Sequence, residues 1–269
     1  MHETLERHAK FIEVEDRRYR LTRAGQVAVG MEMCARQAPL TEQASEDAFE
    51  RFTGWLAARP EARRELDQIH ATPDTSLRRA RLLAERGDVQ RGLCLLGDDD
   101  WVSLALLAHG IERRTTVIDV DAALLAEIAA RAETLGADTH TVTHDLREPV
   151  PAELRRRFGC VFTDPPYAMA GFRLFLSRAI DLLKPDGRIW VAFGHSRRSS
   201  ERGLAKQAAM LEAGLVILEL LPDFNHYLGA ESIGARSDLY LLGRTPKTRP
   251  LVEGSVEGDL YTSRSPTKD

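Results

Sequence analysis

Four acidic positions in this sequence stand at or just past the ends of apolar runs. Gly97-Asp98-Asp99-Asp100 follows Leu93-Cys94-Leu95-Leu96, Asp119 closes Thr115 to Ile118, His144-Asp145 follows Thr139 to Val142, and Asp164 follows Cys160-Val161-Phe162. In nucleoside-binding sheets an acid at the end of the second strand, about twenty residues past the first loop, accepts hydrogen bonds from ribose hydroxyls. Asp119 is read in that role, and Asp121 is the better N-cap for the helix expected from Ala122. Asp145 is expected near an adenine amino group, with a solvated turn acid in Asp145-Leu146-Arg147-Glu148 as the alternative. The first loop is not a phosphate cradle. A glycine-rich turn brings backbone amides to a pyrophosphate, whereas one glycine followed by three carboxylates repels it. Such a loop suits a cationic ligand, a sulfonium among them. A helix macrodipole accounts for one or two acids at a helix start more easily than for three in a row. Asp164-Pro165-Pro166-Tyr167 sets an acid and an aromatic on a backbone that two prolines hold extended, so its acceptors are preorganised.

The elements that must position these groups are legible from periodicity. From about residue 91, short apolar runs alternate with amphipathic stretches: helices from about Trp101 to His109, Ala122 to Leu135, Phe172 to Leu183 and Leu204 to Ala213, and later strands at Ile189 to Phe193, Val216 to Leu221 and Leu239 to Leu242. Continuous apolar strands between helices indicate an α/β fold, a Rossmann-like doubly wound parallel sheet covered on both faces, with ligands at the carboxyl ends of the strands. Residues 91–245 form this catalytic domain. Residues 43–90 read as a helical linker or cap, with Pro60 at an early turn and Thr72-Pro73-Asp74-Thr75 capping a helix that Gly87-Asp88 ends. In residues 1–42, Lys10 to Val14 and Arg18 to Leu21 alternate like a hairpin before a helix-like run, resembling part of a winged-helix module. Residues 246–269, rich in Ser, Thr, Gly, Lys and Pro, read as a flexible tail. Pro222 to Tyr227 is expected to close as a lid, with Phe224, Tyr227 and Glu231 holding a cationic chain.

Composition narrows the function classes. The 269 residues carry a formal charge of −4, which disfavours a nucleic-acid partner and favours small or cationic substrates. Three scattered cysteines, Cys34, Cys94 and Cys160, make neither a zinc site nor a disulfide framework, and no metal is expected. No apolar stretch reaches the roughly 18 residues of a membrane helix, and the start lacks a signal-peptide layout, so no membrane partner and a cytoplasmic location are expected.

Asp164-Pro165-Pro166-Tyr167 resembles the (D/N)PP(Y/F) signature of amino-group methyltransferases, where the acid or amide and a prolyl carbonyl grip an amine's N–H groups and the ring stacks on a planar base. A longer ordered set resembles the branched-chain polyamine synthase family, N(4)-bis(aminopropyl)spermidine synthase. It runs from about Glu65 to Gly243 and includes Leu66-Asp67-Gln68, Thr72-Pro73, Arg78-Arg79, Glu85-Arg86-Gly87-Asp88, Leu96 to Asp100, Asp119-Val120-Asp121, His144 to Arg147, Asp164-Pro165-Pro166 and Arg236-Ser237-Asp238-Leu239-Tyr240. The resemblance implies a class I methyltransferase-type sheet, an N-terminal winged-helix domain of which this chain keeps the second half, and aminopropyl transfer from decarboxylated S-adenosylmethionine to a polyamine such as spermidine. It maps catalysis onto Asp100, with Asp98 and Asp99 as close alternatives and Asp164 holding the nitrogen. Donor contacts are expected at Gly97, Asp98, Asp119, Val120, Asp145, Leu146, Asp164 and Pro165. Amine contacts are expected at Asp67, Gln68, Pro166, Tyr167, Phe224, Tyr227, Glu231 and Asp238, in a homodimer. The aromatic Tyr167 departs from the polyamine synthases and keeps a rival open: methyl transfer, or aminocarboxypropyl transfer, from intact S-adenosylmethionine to an amine. A DNA-binding, polyamine-sensing regulator is a third reading, against which the negative charge weighs.

Overall fold

Apolar runs with no polar face belong inside a sheet, and here they form its centre: β3 (Leu93–Leu96), β4 (Thr115–Asp119) and β6 (Phe158–Thr163) are buried at every position. The structure is a computed structural model that describes residues 12–15, 18–21, 42–194, 200–229, 235–258 and 260. With β5 (Thr139–Thr143), β7 (Leu183–Phe193), β8 (Leu215–His226) and β9 (Arg236–Arg244), the strands make one seven-stranded sheet in the order β5-β4-β3-β6-β7-β9-β8. The pairs from β5 to β7 are parallel, whereas β9 runs antiparallel to both β7 and β8. The expected sheet was parallel throughout. The reversal has a simple cause, because the short connection from β8 to β9 can close only an antiparallel pair.

Side chains alternate across each strand, so β3 feeds two cores. Leu93 and Leu95 pack with the helices α1 (Glu42–Trp55), α2 (Pro73–Glu85), α3 (Val102–Ala108) and α4 (Ala122–Thr134). Cys94 and Leu96 pack with α5 (Met169–Leu182) and α6 (Ser200–Glu212). Cys94 and Cys160 are free and buried, as their apolar surroundings in the sequence predict; Cys34 lies outside the described residues. Near the N-terminus, β1 (Ile12–Glu15) and β2 (Arg18–Leu21) pair as the expected antiparallel hairpin, while the helix-like run after it falls outside the described residues.

Three further expectations change. Between α1 and α2 only two single 3-10 turns occur, Leu56–Ala58 and Arg64–Leu66, and Asp67 ends the second with a left-handed φ of 55°. Pro60 lies in irregular chain between them, so this stretch is wall rather than helix. The expected lid, Pro222 to Tyr227, is the end of β8 and its continuation. Asn225 and His226 pair with Ser237 and Arg236, Thr72 N donates to His226 O at 2.8 Å, and Leu228 N donates to His70 O at 2.8 Å. Backbone bonds on both sides make it a fixed strand. The stretch from Pro246, whose composition reads as a tail, is tied to α5 and the β5–β6 loop. Leu251 N and Val252 N donate to Ser177 Oγ at 3.0 Å, Arg178 Nη2 donates to Gly254 O at 2.6 Å, and Val256 N donates to Arg147 O at 2.9 Å. Among the described residues no helix is long and apolar enough to cross a membrane.

Candidate active site

Parallel strands bring the acids together, since β3, β4, β5 and β6 all end on one rim. Beneath that rim lies a cavity of about 950 Å³ of atom-free space, open solvent included. Its lining combines strand-end residues (Gly97, Asp99, Asp100, Asp119, Val120, Asp145, Leu146, Asp164, Pro165, Pro166 and Tyr167) with Asp67 and Gln68 from the wall between α1 and α2, and Tyr227 from beyond β8. Six aspartates face this space and no lysine or arginine does, among the described residues.

The three aspartates of the first loop have three separate environments. Asp98 is turned into the protein, where its carboxylate accepts Val102 N at 2.7 Å, Ser103 N at 3.2 Å and Ser103 Oγ at 2.5 Å. It caps α3 and does not line the cavity, which corrects its expected catalytic and donor-binding roles. Burial pushes its carboxyl up to about 8, against the Ser103 and Val102 hydrogen bonds. Asp100 lines the cavity with both oxygens engaged: Oδ1 accepts Ala71 N and Oδ2 accepts Arg79 Nη1, each at 2.5 Å. Asp99 lines the cavity without a hydrogen bond or ion pair among the described residues. Burial first, then Asp100, Asp164 and Asp119, hold its carboxyl well above the usual carboxylate range.

Arg79 joins these acids, and sequence reasoning gave it no role. Its guanidinium is wholly buried and donates to Asp100 Oδ2, to Asp164 Oδ2 at 2.6 Å, to Asn225 Oδ1 at 2.7 Å and to the Tyr227 hydroxyl at 3.2 Å. The Tyr227 hydroxyl also donates to Asp164 Oδ2 at 2.7 Å and lies 2.8 Å from Ser237 Oγ, while Asn225 Nδ2 donates to Ser237 Oγ at 3.0 Å. A signal for this was present. On α2, Ser76, Leu77, Ala80, Leu83 and Ala84 mark the inward face, and Arg79 falls among them, where an arginine needs fixed acceptors. Asp164 lines the cavity, and its Oδ1 accepts from no described group.

On the other side, Asp119 is buried and accepts Asp121 N on Oδ1 at 2.8 Å and Asp98 N on Oδ2 at 3.2 Å. Asp121, not Asp119, caps α4, taking Ala123 N and Leu124 N. Asp119 is therefore held rigidly with lone pairs left over for a ligand diol. Asp145 lines the cavity but is gripped by Arg147, whose Nη2 and Nε reach Oδ2 at 2.5 and 2.9 Å, and this hydrogen-bonded pair holds its carboxyl below the usual range. Val120, Leu146 and Pro165 line the space. Phe224 does not: it packs toward the core under Arg78, 5.2 Å from its ring centroid. Asp238 also lies off the cavity, accepting Asp223 N at 2.9 Å. Glu231 lies outside the described residues. Leu66, Ile69, Ile118, His144, Phe175 and Leu260 complete the lining. Leu260 comes from the stretch read as a tail, which composition cannot place. Among the described residues no cluster of His, Cys, Asp or Glu is arranged to hold a metal.

Comparison with known proteins places this geometry. A family model described as the branched-chain polyamine synthase A C-terminal domain matches residues 47–247. An uncharacterized protein of Methanocaldococcus jannaschii is 38% identical over 189 residues, covering 70% of this chain and 48% of that one. The N(4)-bis(aminopropyl)spermidine synthase of Thermococcus kodakarensis is 35% identical over 191 residues, covering 68% of this chain and 54% of the other. The chain spans about half the length of the curated relatives it matches. Among solved structures, the branched-chain polyamine synthase of Thermus thermophilus, in complex with N4-aminopropylspermidine and 5'-methylthioadenosine, superposes with a TM-score of 0.71 at 28% identity, covering 97% of this chain and 82% of that one. A proposed RNA methyltransferase of Pyrococcus horikoshii, 14% identical with a TM-score of 0.55 over 73% of this chain and 98% of its own, shares the fold alone. With a family model matched across the whole sheet, this chain belongs to the branched-chain polyamine synthase family.

Proposed function

We propose that this chain transfers an aminopropyl group from decarboxylated S-adenosylmethionine to an amine of a polyamine such as spermidine. The observation that carries the reading is the cavity wall, with six aspartates and no lysine or arginine among the described residues. Such a wall fits a sulfonium donor and a polycationic acceptor, both of which it attracts. Intact S-adenosylmethionine would bring an α-carboxylate to the same wall, where the arginines within reach already answer its acids, Arg79 paired with Asp100 and Asp164 and Arg59 near the first loop, which disfavours the methyl-transfer and aminocarboxypropyl-transfer readings. The names and bound molecules of the relatives support the same choice.

Displacement at a carbon next to sulfonium forms a C–N bond, breaks a C–S bond and leaves a neutral thioether, 5'-methylthioadenosine, while the nitrogen sheds a proton. The chain's part is to bind, to aim the nitrogen in line and to take that proton. Asp119 fits the ribose hydroxyls and the Asp145–Leu146 segment fits the adenine edge, so the reacting carbon falls toward Asp99, Asp100 and Asp164. Asp164 Oδ1 and the Pro165 carbonyl are suited to holding the amine N–H groups. Of the rim carboxylates, Asp99 is uncommitted and its pKa is raised, which suits a proton acceptor; Asp100, the residue expected to act, has both oxygens engaged and suits orientation. Assembly as a homodimer and a cytoplasmic location belong to the same proposal.

Calorimetry with decarboxylated and intact S-adenosylmethionine, followed by mass spectrometry of products from a polyamine panel, tests the reading. The decarboxylated donor is expected to bind more tightly and to yield an acceptor enlarged by an aminopropyl group. Equal or tighter binding of the intact compound overturns it. In the same titration Asp119→Ala is expected to weaken the donor by about ten- to hundredfold, since a hydrogen bond to a charged acceptor contributes roughly 1.5–3 kcal/mol. Unchanged affinity in a folded variant removes Asp119 from the ribose site.

A further inference from the structure

Lys206 is a buried cation that this chemistry leaves unused. It lies on α6 with 2% of its surface exposed. Its ammonium sits 4.9 Å from the ring centroid of Tyr167, 5.3 Å from that of Phe172 and 5.4 Å from that of Phe193. No described residue forms an ion pair or hydrogen bond with it, so three ring faces replace the water it has lost. Burial pushes the amine down to about 8, helped by Arg202 and opposed by Asp164. Tyr167 is a wall of the cavity and Lys206 is not, so the charge stands behind the ring that the substrate meets.

We propose that Lys206 is a positioning residue for the acceptor, whose charge behind Tyr167 turns ammonium groups away from the point of attack and favours a neutral nitrogen there. The proposal rests on the aminopropyl-transfer reading. A cavity lined by aspartates gathers a polycation, yet it also raises the pKa of every amine inside it, and a protonated nitrogen has no lone pair to donate. A fixed cation within electrostatic reach of Asp164 adds to the Arg79 ion pair in offsetting that field where it opposes the reaction. Tyr167 adds to this, because a ring already facing Lys206 has less attraction left for a substrate cation. The charged arms of the acceptor are left to the other carboxylates of the wall, and the nitrogen nearest Asp164 is the one least stabilised as ammonium. Lys206 makes and breaks no bond; the proton shed in the reaction goes to the rim carboxylates or to water.

The distinguishing result is a split between binding and turnover at pH 7. Spermidine binding to the complex with 5'-methylthioadenosine is measured by calorimetry, and kcat with the decarboxylated donor, for wild type, Lys206→Met and Lys206→Arg. Lys206→Met is expected to bind spermidine about three- to tenfold more tightly, from removal of one repulsive charge at short range, and to turn over about tenfold more slowly, because more of the bound amine is protonated. Lys206→Arg keeps the charge over the rings and should stay within about twofold of wild type in both. Affinity for 5'-methylthioadenosine should be the same in all three. Loss of packing alone would weaken spermidine, so weaker or unchanged spermidine binding in Lys206→Met overturns the proposal. Should that variant fail to fold, Lys206→Gln must show the same two shifts or the proposal falls. Absence of aminopropyl transfer by the wild type overturns the underlying reading, and is seen before any variant is compared.

Discussion

Asp99→Asn is expected to lower kcat for aminopropyl transfer by about 10²–10⁴-fold, the usual cost of removing a positioned acid–base group, with little change in donor affinity. The expectation comes from the contrast within one loop. Asp98 is consumed by the start of α3, and Asp100 by Ala71 N and Arg79. Asp99 alone of the three lines the cavity with no hydrogen bond among the described residues. Its raised pKa makes it a stronger base once ionised, so wild-type activity should climb with pH as Asp99 loses its proton. Asn keeps the shape and a hydrogen-bonding carbonyl but accepts no proton, and that limb of the profile should vanish. Asp100→Asn should also reduce turnover, accompanied by a lower melting temperature, because it unpairs Arg79. If Asp99→Asn turned over normally while Asp100→Asn lost activity at wild-type melting temperature, the proton acceptor would be Asp100, as the family resemblance implies.

Arg79→Met is expected to be the most damaging single substitution for stability. It removes the cation between Asp100 and Asp164 and leaves Asn225 Oδ1 without its donor. Breaking a buried pair by deleting one partner costs about 3–5 kcal/mol, which for a protein of this size is a fall in melting temperature on the order of 10 °C. Asp164 should respond in a definite direction. Arg79 is the largest influence opposing the effect of burial on its carboxyl, so without it that carboxyl moves further up and is more often protonated near neutrality. Turnover should fall with stability, and Arg79→Lys should recover only part of both, since one ammonium cannot fork across two carboxylates. Calorimetric melting with kcat on the same preparations checks this. A melting temperature within a degree or two of wild type would show that the network is dispensable.

How much of this was legible beforehand depends on the range of the interactions. Apolar runs, amphipathic periods, the caps at Thr72 and Asp121 and the acids at strand ends are set by neighbours within a turn or a strand. They fell where the residues indicated: α4 begins at Ala122 and Asp119 ends β4. The strand-end acids meet because parallel strands share one rim, which topology alone requires. The roles of Asp98, Asp99 and Asp100 could not be told apart in the sequence. Three identical side chains are set apart by the turn that follows Gly97, φ 78°, and is closed by Trp101 N donating to Asp98 O at 2.9 Å. Arg79 meets Asp164 across 85 positions of chain and Asn225 across 146. Residues 222–227 carry the composition of a lid and are held as a strand by His70, Thr72 and Ser237. Leu260 reaches the cavity because Arg178 and Ser177 hold the chain that leads to it. Local chemistry determined the elements and the kind of ligand they suit. Which carboxylate is free, which is paired and which is a cap was decided only by packing between distant segments, because desolvation and pairing depend on what encloses a charge and not on what precedes it in the chain.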